Sequence, residues 1–87
     1  MQSEIFEQLR ELLAVTTGHN TEEIFPESQL EVDLGINLEE DFGRLLSIIN
    51  HEFKIELEPN HILGELEEAE DTVEQLAKLI EEEVELG

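Results

Sequence analysis

The sequence predicts an all-α protein, a bundle of three long helices and one short helix. Apolar residues recur at helical spacing in three separate segments, and clusters of turn-forming residues divide these segments from one another. The chain has 87 residues, which is the size of one small domain with one core. We therefore expect a single four-helix domain over residues 1–87.

The first helix is predicted from about Ser3, which serves as its N-cap, to about Val15. Residues 16–20 favour turns and end this helix. Its apolar residues recur at helical spacing and are Ile5, Phe6, Leu9, Leu12 and Leu13.

A long connection follows and runs to about Asn37. Structureless loops of this length are uncommon in compact domains, so we expect a short helical turn over residues 21–25. We also expect four apolar side chains to attach the loop to the core, namely Ile24, Phe25, Leu30 and Leu34.

The second helix is predicted from about Leu38 to about Phe53, with Asn37 as its cap. Acidic residues in its first turn suit the positive end of the helix dipole. Residues 54–58 alternate as a strand does, but we predict an extended loop, because a lone strand has no partner and Pro59 interrupts it.

Pro59 suits the first position of a short third helix, which is predicted over residues 60–63 and ends at Gly64. The acidic segment 65–71 is predicted to be mobile. Residues 71–74 have the spacing of a capping box and predict the start of the last helix. The apolar stripe of that helix is Val73, Leu76, Ala77, Ile80 and Val84.

The charge of the chain restricts its partners. It has 24 Asp and Glu against four Lys and Arg, a formal net charge of -20. Such a surface repels phosphate backbones and anionic lipid, so we expect neither nucleic acid nor membrane insertion, and instead a partner with a basic patch. There is no cysteine, no basic and apolar leader and no long apolar run, which together predict a cytoplasmic protein; we expect a monomer.

The centre of the chain carries the most specific motif. Asp33-Leu34-Gly35-Ile36-Asn37 predicts a tight turn, and the acidic run Leu38-Glu39-Glu40-Asp41 and the apolar ladder Phe42, Leu45, Leu46, Ile49 and Phe53 follow it. The motif resembles the centre of an acyl carrier protein, where Asp-Leu-Gly-x-Asp precedes the serine that carries phosphopantetheine. Residues 49–57 and 72–76 also resemble segments of that family, in the same order. The resemblance implies an acyl-carrier-protein-like four-helix bundle that acts in fatty acid, lipid or polyketide metabolism.

The serine of the family is absent. Counting forward from Gly35 places it at Leu38, and counting back from Phe53 places it at Glu39. Attachment of the arm needs a hydroxyl oxygen, which neither side chain offers, so we expect no phosphopantetheine and no other cofactor. Ser28 and Ser47 lie elsewhere and do not match the modified serine.

Two functions remain open. In the first, the protein is a partner-binding or regulatory module without the arm. It would dock on acyl-transfer or synthase enzymes that have basic patches, and the predicted partner-binding residues are Glu39, Glu40, Asp41 and Arg44. In the second, the protein is a specialised carrier that is loaded at an unorthodox site or binds acyl chains without a covalent bond.

Other chemistry has little support in the sequence. His51 and Glu52 begin a zinc-protease motif, but Ile55 stands where the second histidine is required. The spacing of His19 and His61 brings no set of three nitrogen ligands together.

Oxygen atoms of Asp33, Asn37, Glu39 and Asp41 predict at most loose binding of a divalent cation, since their spacing does not fit a calcium loop. We therefore expect no dedicated metal site, no catalytic residues and no enzyme activity.

Overall fold

Four α-helices build the fold, which the computed structural model describes over residues 2–86, with side chains for residues 4–85. They are α1 (Gln2–Thr17), α2 (Phe42–Phe53), α3 (Pro59–Glu68) and α4 (Val73–Leu86). A 3-10 turn, Thr21–Glu23, lies in the long loop between α1 and α2. The described residues include no β-strand, only an isolated bridge between Gln29 and Thr72. The all-helical prediction is confirmed.

Helix α1 extends beyond its predicted limits. It begins at Gln2, before the predicted N-cap Ser3. The side chain of Ser3 lies outside the described residues. It ends two residues after Val15, and the hydroxyl groups of Thr16 and Thr17 donate to backbone carbonyls four residues earlier. Gly18 then stops the helix with φ 79°, a conformation that glycine adopts without steric cost.

One hydrophobic core joins all four helices and the long loop. Helix α1 packs most extensively along α4, and α3 contacts both α2 and α4. The fully buried side chains are Leu9, Leu13, Ile24, Leu30, Phe42, Leu46, Ile49, Leu66, Val73, Leu76 and Ile80.

The long loop attaches to the core differently from the prediction in one respect. Ile24, Leu30 and Leu34 are buried as expected, but Phe25 is 53% exposed. The Phe25 backbone turns back on itself, because its N–H donates to the Ser28 hydroxyl at 2.9 Å and its carbonyl accepts from the Ser28 N–H at 3.0 Å. A further buried attachment comes from Ile36, which is 6% exposed.

Helix α2 begins at Phe42, so the predicted start at Leu38 is wrong by four residues. Residues 38–41 form a separate turn, closed by a 2.7 Å hydrogen bond from the Asp41 N–H to the Asn37 carbonyl. The end at Phe53 is confirmed, and Lys54 follows in the left-handed conformation with φ 57°.

Asn50 holds the extended segment after α2 in place. Residues 55–58 have no helical or strand structure, as predicted. The Asn50 side-chain amide donates to the Leu57 carbonyl at 3.1 Å, and the Leu57 N–H donates to Asn50 Oδ1 at 2.9 Å. The side chain thus supplies both hydrogen bonds that a neighbouring strand would otherwise provide.

Helix α3 starts with Pro59 in the first turn, as predicted, but continues through Gly64 to Glu68. The predicted end at Gly64 is wrong because Ile62 and Leu66, four residues apart, are both buried. A helical glycine costs about 1 kcal/mol relative to alanine, whereas burial of a leucine contributes about 1.5–3 kcal/mol. Residues 65–68 therefore belong to the helix. The mobility of residues 65–71 stays a prediction.

Hydrogen bonds join the long loop to the start of α4. The Val73 N–H donates to the Ser28 carbonyl and the Glu74 N–H donates to the Pro26 carbonyl, both at 2.9 Å. The first N–H groups of a helix have no partner within it. The carbonyl groups of the loop supply those partners here.

Asp71 adds three contacts to the same junction. Its carbonyl accepts from the Leu30 N–H at 2.7 Å, and its carboxylate accepts from the Glu31 N–H at 3.2 Å and from the Gln29 side chain at 3.4 Å. The segment predicted to be mobile therefore ends in a residue bonded to three neighbours in the loop.

Thr72 caps α4, since its hydroxyl accepts from the Gln75 N–H at 3.2 Å. The cap lies one residue after the start of the predicted capping box. Val84, which was predicted to lie on the buried stripe, is 39% exposed, whereas Leu79, which was not predicted there, is buried. The buried side chains of α4 are Val73, Leu76, Ala77, Leu79 and Ile80.

Replacing Asn50 by alanine tests the attachment of the extended segment. The variant Asn50→Ala leaves the N–H and carbonyl groups of the buried Leu57 without partners, so we expect the free energy of unfolding to fall by about 1–3 kcal/mol. Chemical denaturation followed by circular dichroism measures this change. The control is His51→Ala, which alters the exposed neighbour. Equal stability of the two variants would contradict the assigned role.

Candidate functional site

The candidate site is the acidic turn, residues 38–41, immediately before α2. The chain reverses just before it at Gly35, which has φ 75° and donates its N–H to the Glu31 carbonyl at 3.1 Å. The buried side chains of Leu34 and Ile36 fix the position of this reversal in the core. The acidic turn therefore starts from a fixed point.

Asn37 orders the acidic turn. Its side-chain oxygen accepts from the Glu39 N–H at 2.9 Å and from the Glu40 N–H at 3.1 Å. These are the bonds of an N-cap, so Asn37 is a cap as predicted, but of the acidic turn rather than of α2.

Neither predicted position of the missing serine offers a hydroxyl group. Leu38 is partly buried and packs against the core, whereas Glu39 is exposed. Ser28 is 6% exposed and its hydroxyl accepts from a backbone N–H group in the loop. Ser47 is exposed on α2, but it lies more than a turn beyond the start of that helix.

The four predicted partner-binding residues are all exposed. Glu39, Glu40 and Asp41 are consecutive within the acidic turn. Asp41 and Arg44 line one surface cavity of about 330 Å³, together with Thr16, Thr17 and Gly35. The structure thus places the end of α1 next to the acidic turn, a neighbourhood that the sequence analysis missed because it assigned both threonines to a connecting turn.

The electrostatic character of this surface is negative. The chain has four Lys and Arg for 24 carboxylates, so most of its carboxylates have no basic residue to pair with. Arg10 pairs with Glu7 at 3.3 Å on α1, and Arg44 has no ion-pair partner among the described residues. Three adjacent carboxylates beside a single guanidinium produce a negative potential that a basic partner surface complements.

Two of the four residues proposed for loose cation binding, Asp33 and Asn37, use side-chain oxygens in hydrogen bonds. Asp33 accepts from the Gln29 N–H at 2.8 Å, and Asn37 is occupied in capping. No group of three or more His, Asp or Glu side chains suited to a metal ion occurs within residues 2–86.

The histidines lie on separate elements. His19 Nδ1 is 3.8 Å from a Glu23 carboxylate oxygen, whereas His51 and His61 are exposed on α2 and α3. Among the described residues, no helix combines the length and the apolar character needed to cross a bilayer.

Comparison with known proteins identified no relative of this chain. No protein-family model matches the chain, and a search of curated proteins found no match either. The residues of the acidic turn and their geometry are therefore the basis for assigning a function.

Removal of the Asn37 cap tests the order of this turn. In Asn37→Ala the N–H groups of Glu39 and Glu40 lose their acceptor, so we expect faster amide exchange at both and a loss of about 1 kcal/mol in unfolding free energy. The control Asn37→Ser keeps an acceptor and should retain most of the stability. If both variants exchange these amides at the wild-type rate, another contact orders the turn.

Proposed function

We propose that this protein is an acyl-carrier-like binding module that lacks the phosphopantetheine arm. In this proposal its acidic turn docks on basic patches of acyl-transfer or synthase enzymes in fatty acid, lipid or polyketide metabolism. Such a module would regulate or scaffold those enzymes in the cytoplasm and would act as a monomer.

The proposal rests on the contrast between Leu38 and its neighbours. Leu38 packs against the core, and the next three side chains are exposed carboxylates. Attachment of the arm transfers a phosphoryl group to a hydroxyl oxygen to form a phosphodiester. An alkyl side chain has no oxygen for that bond, and a carboxylate would form a labile mixed anhydride instead.

Docking on a basic partner requires exposed negative charge, which the acidic turn has. Opposite potentials accelerate encounter and set orientation, and they act over about 8–10 Å at physiological ionic strength. The carboxylates of Glu39, Glu40 and Asp41 supply the negative potential whether or not an arm is present. Arg44, exposed in the first turn of α2, offers a guanidinium donor to a carboxylate of the partner.

Intact mass tests the absence of the arm. After incubation with a phosphopantetheinyl transferase and coenzyme A, we expect the mass of the protein to stay unchanged, while an acyl carrier protein with its serine is converted in the same mixture. A gain equal to the arm would contradict the proposal and would instead support a specialised carrier loaded at an unorthodox site.

The variant Glu39→Ser provides the matched test of the site itself. It places a hydroxyl group at an exposed position of the acidic turn without removing a core side chain. Conversion of Glu39→Ser, but not of the wild type, would show that the missing oxygen is what prevents loading.

Charge reversal tests docking. We expect Glu40→Lys with Asp41→Lys to slow association with carrier-dependent synthases and acyltransferases by roughly tenfold or more at low salt, because steering by the turn is lost. Stopped-flow fluorescence across a salt series measures the rate.

The control for charge reversal is Glu82→Lys with Glu85→Lys, two exposed positions on α4. Both double variants change the net charge by the same amount, so a difference between them reports the location of the charge. Equal association rates for the two would indicate that the acidic turn is not the docking surface.

A further inference from the structure

A second surface lies between α1 and α2. There a groove of about 520 Å³ has apolar walls formed by Leu12 and Val15 of α1 and Ile48 of α2. Glu11 and Glu52 line the same groove, one on each helix, and both are exposed. The groove therefore combines apolar side chains with one carboxylate from each helix.

The groove leaves apolar side chains of both helices open to solvent. Val15 is 86% exposed and Ile48 is 39% exposed, while Leu12 is partly buried against the core. Single exposed apolar residues are common on protein surfaces, but contiguous ones in a groove are typical of interaction sites. Covering these three side chains would remove apolar surface from water.

The charge around the groove selects the occupant. None of the described residues that line it is Lys or Arg. The adjacent face of α1 carries Glu4, Glu7 and Glu11, of which Glu7 is paired with Arg10. Fatty acids and anionic lipids would meet carboxylates of the same sign. A second copy of this chain would bring another net charge of -20. A cationic and partly apolar segment is the complement.

We infer that this groove binds a basic amphipathic helix of a partner protein. Apolar side chains of the partner at i, i+3 and i+4 would contact Leu12, Val15 and Ile48, as in other helix-in-groove complexes. Its flanking Lys or Arg side chains would face Glu11 and Glu52. The inference is independent of the arm and of the acidic turn, although Thr16 lines both this groove and the cavity beside Arg44.

Binding of a synthetic peptide tests the inference. The probe is a fluorescein-labelled peptide of leucine and lysine with leucines at helical spacing, and its control is a scrambled peptide of the same composition and charge. At physiological salt we expect the amphipathic peptide to bind about tenfold more tightly or better, since both peptides share the electrostatic attraction and only one offers an apolar stripe. Equal affinities measured by fluorescence anisotropy would overturn the inference.

Matched variants locate the binding. Val15→Thr with Ile48→Thr replaces a methyl and an ethyl group in the groove by hydroxyl groups and should reduce the affinity about tenfold, while circular dichroism stays helical because both side chains are on the surface. The control is Val32→Thr with Val84→Thr, whose side chains are 74% and 39% exposed and lie outside the groove lining. Neither variant changes the net charge. The same affinity in both would overturn the inference.

Chemical-shift mapping provides a second readout on the unmodified protein. Titration with the amphipathic peptide should shift the amide resonances around Val15 and Ile48 most strongly. Shifts confined to residues 38–41 would mean that the peptide binds the acidic turn instead, and would overturn the assignment of the groove without affecting the proposed docking function.

Discussion

The structure depends on the hydrogen bonds between the long loop and the start of α4. The N–H groups of Val73 and Glu74 need partners outside their helix, and the loop needs partners for its backbone because it has no strand or long helix. The loop carbonyl groups accept from the N–H groups of the helix, so both elements gain hydrogen-bond partners. The hydrogen bond from the Leu30 N–H to the Asp71 carbonyl extends this contact between the loop and the start of α4. The Ile36 N–H then donates to the Leu30 carbonyl at 2.9 Å, which connects the junction to the reversal before the acidic turn.

Periodicity predicted α1, α4 and the end of α2, because each of these has an apolar stripe that a single core can bury. The errors came from positions where a local signal and a tertiary contact disagree. Gly64 signals a helix end, but burial of Leu66 outweighs its cost. Asn37 signals a helix start, yet its two side-chain hydrogen bonds cap a separate turn. Phe25 was expected in the core, but Ile24 and Ile36 occupy that role, and no sequence pattern distinguishes adjacent apolar residues in an irregular loop.

The candidate site was predictable in part. The acidic run and Arg44 follow directly from the sequence, and the structure shows that Arg44 and the three acidic residues of the run are exposed. The proximity of Thr16 to Arg44, and the groove formed by Val15 and Ile48, depend on how α1 lies against α2. Val15 belongs to no buried stripe, so its apolar character has no consequence until α2 places Ile48 opposite it. Pairing of two helices is a tertiary property that one-dimensional periodicity does not contain.

A carrier protein has two separable properties, which are electrostatic attraction to its partner and covalent attachment of its arm. Attraction to a basic partner arises from several carboxylates acting at long range, and no single one of them is essential. Attachment of an arm depends on one oxygen atom at one position. In the proposed function, neither Leu38 nor Glu39 offers that oxygen, so the bond would be lost while the negative potential of Glu39, Glu40 and Asp41 would remain. A chain in this condition would occupy docking sites without delivering a substrate, and competition with loaded carriers is the regulatory effect that follows from the proposed function.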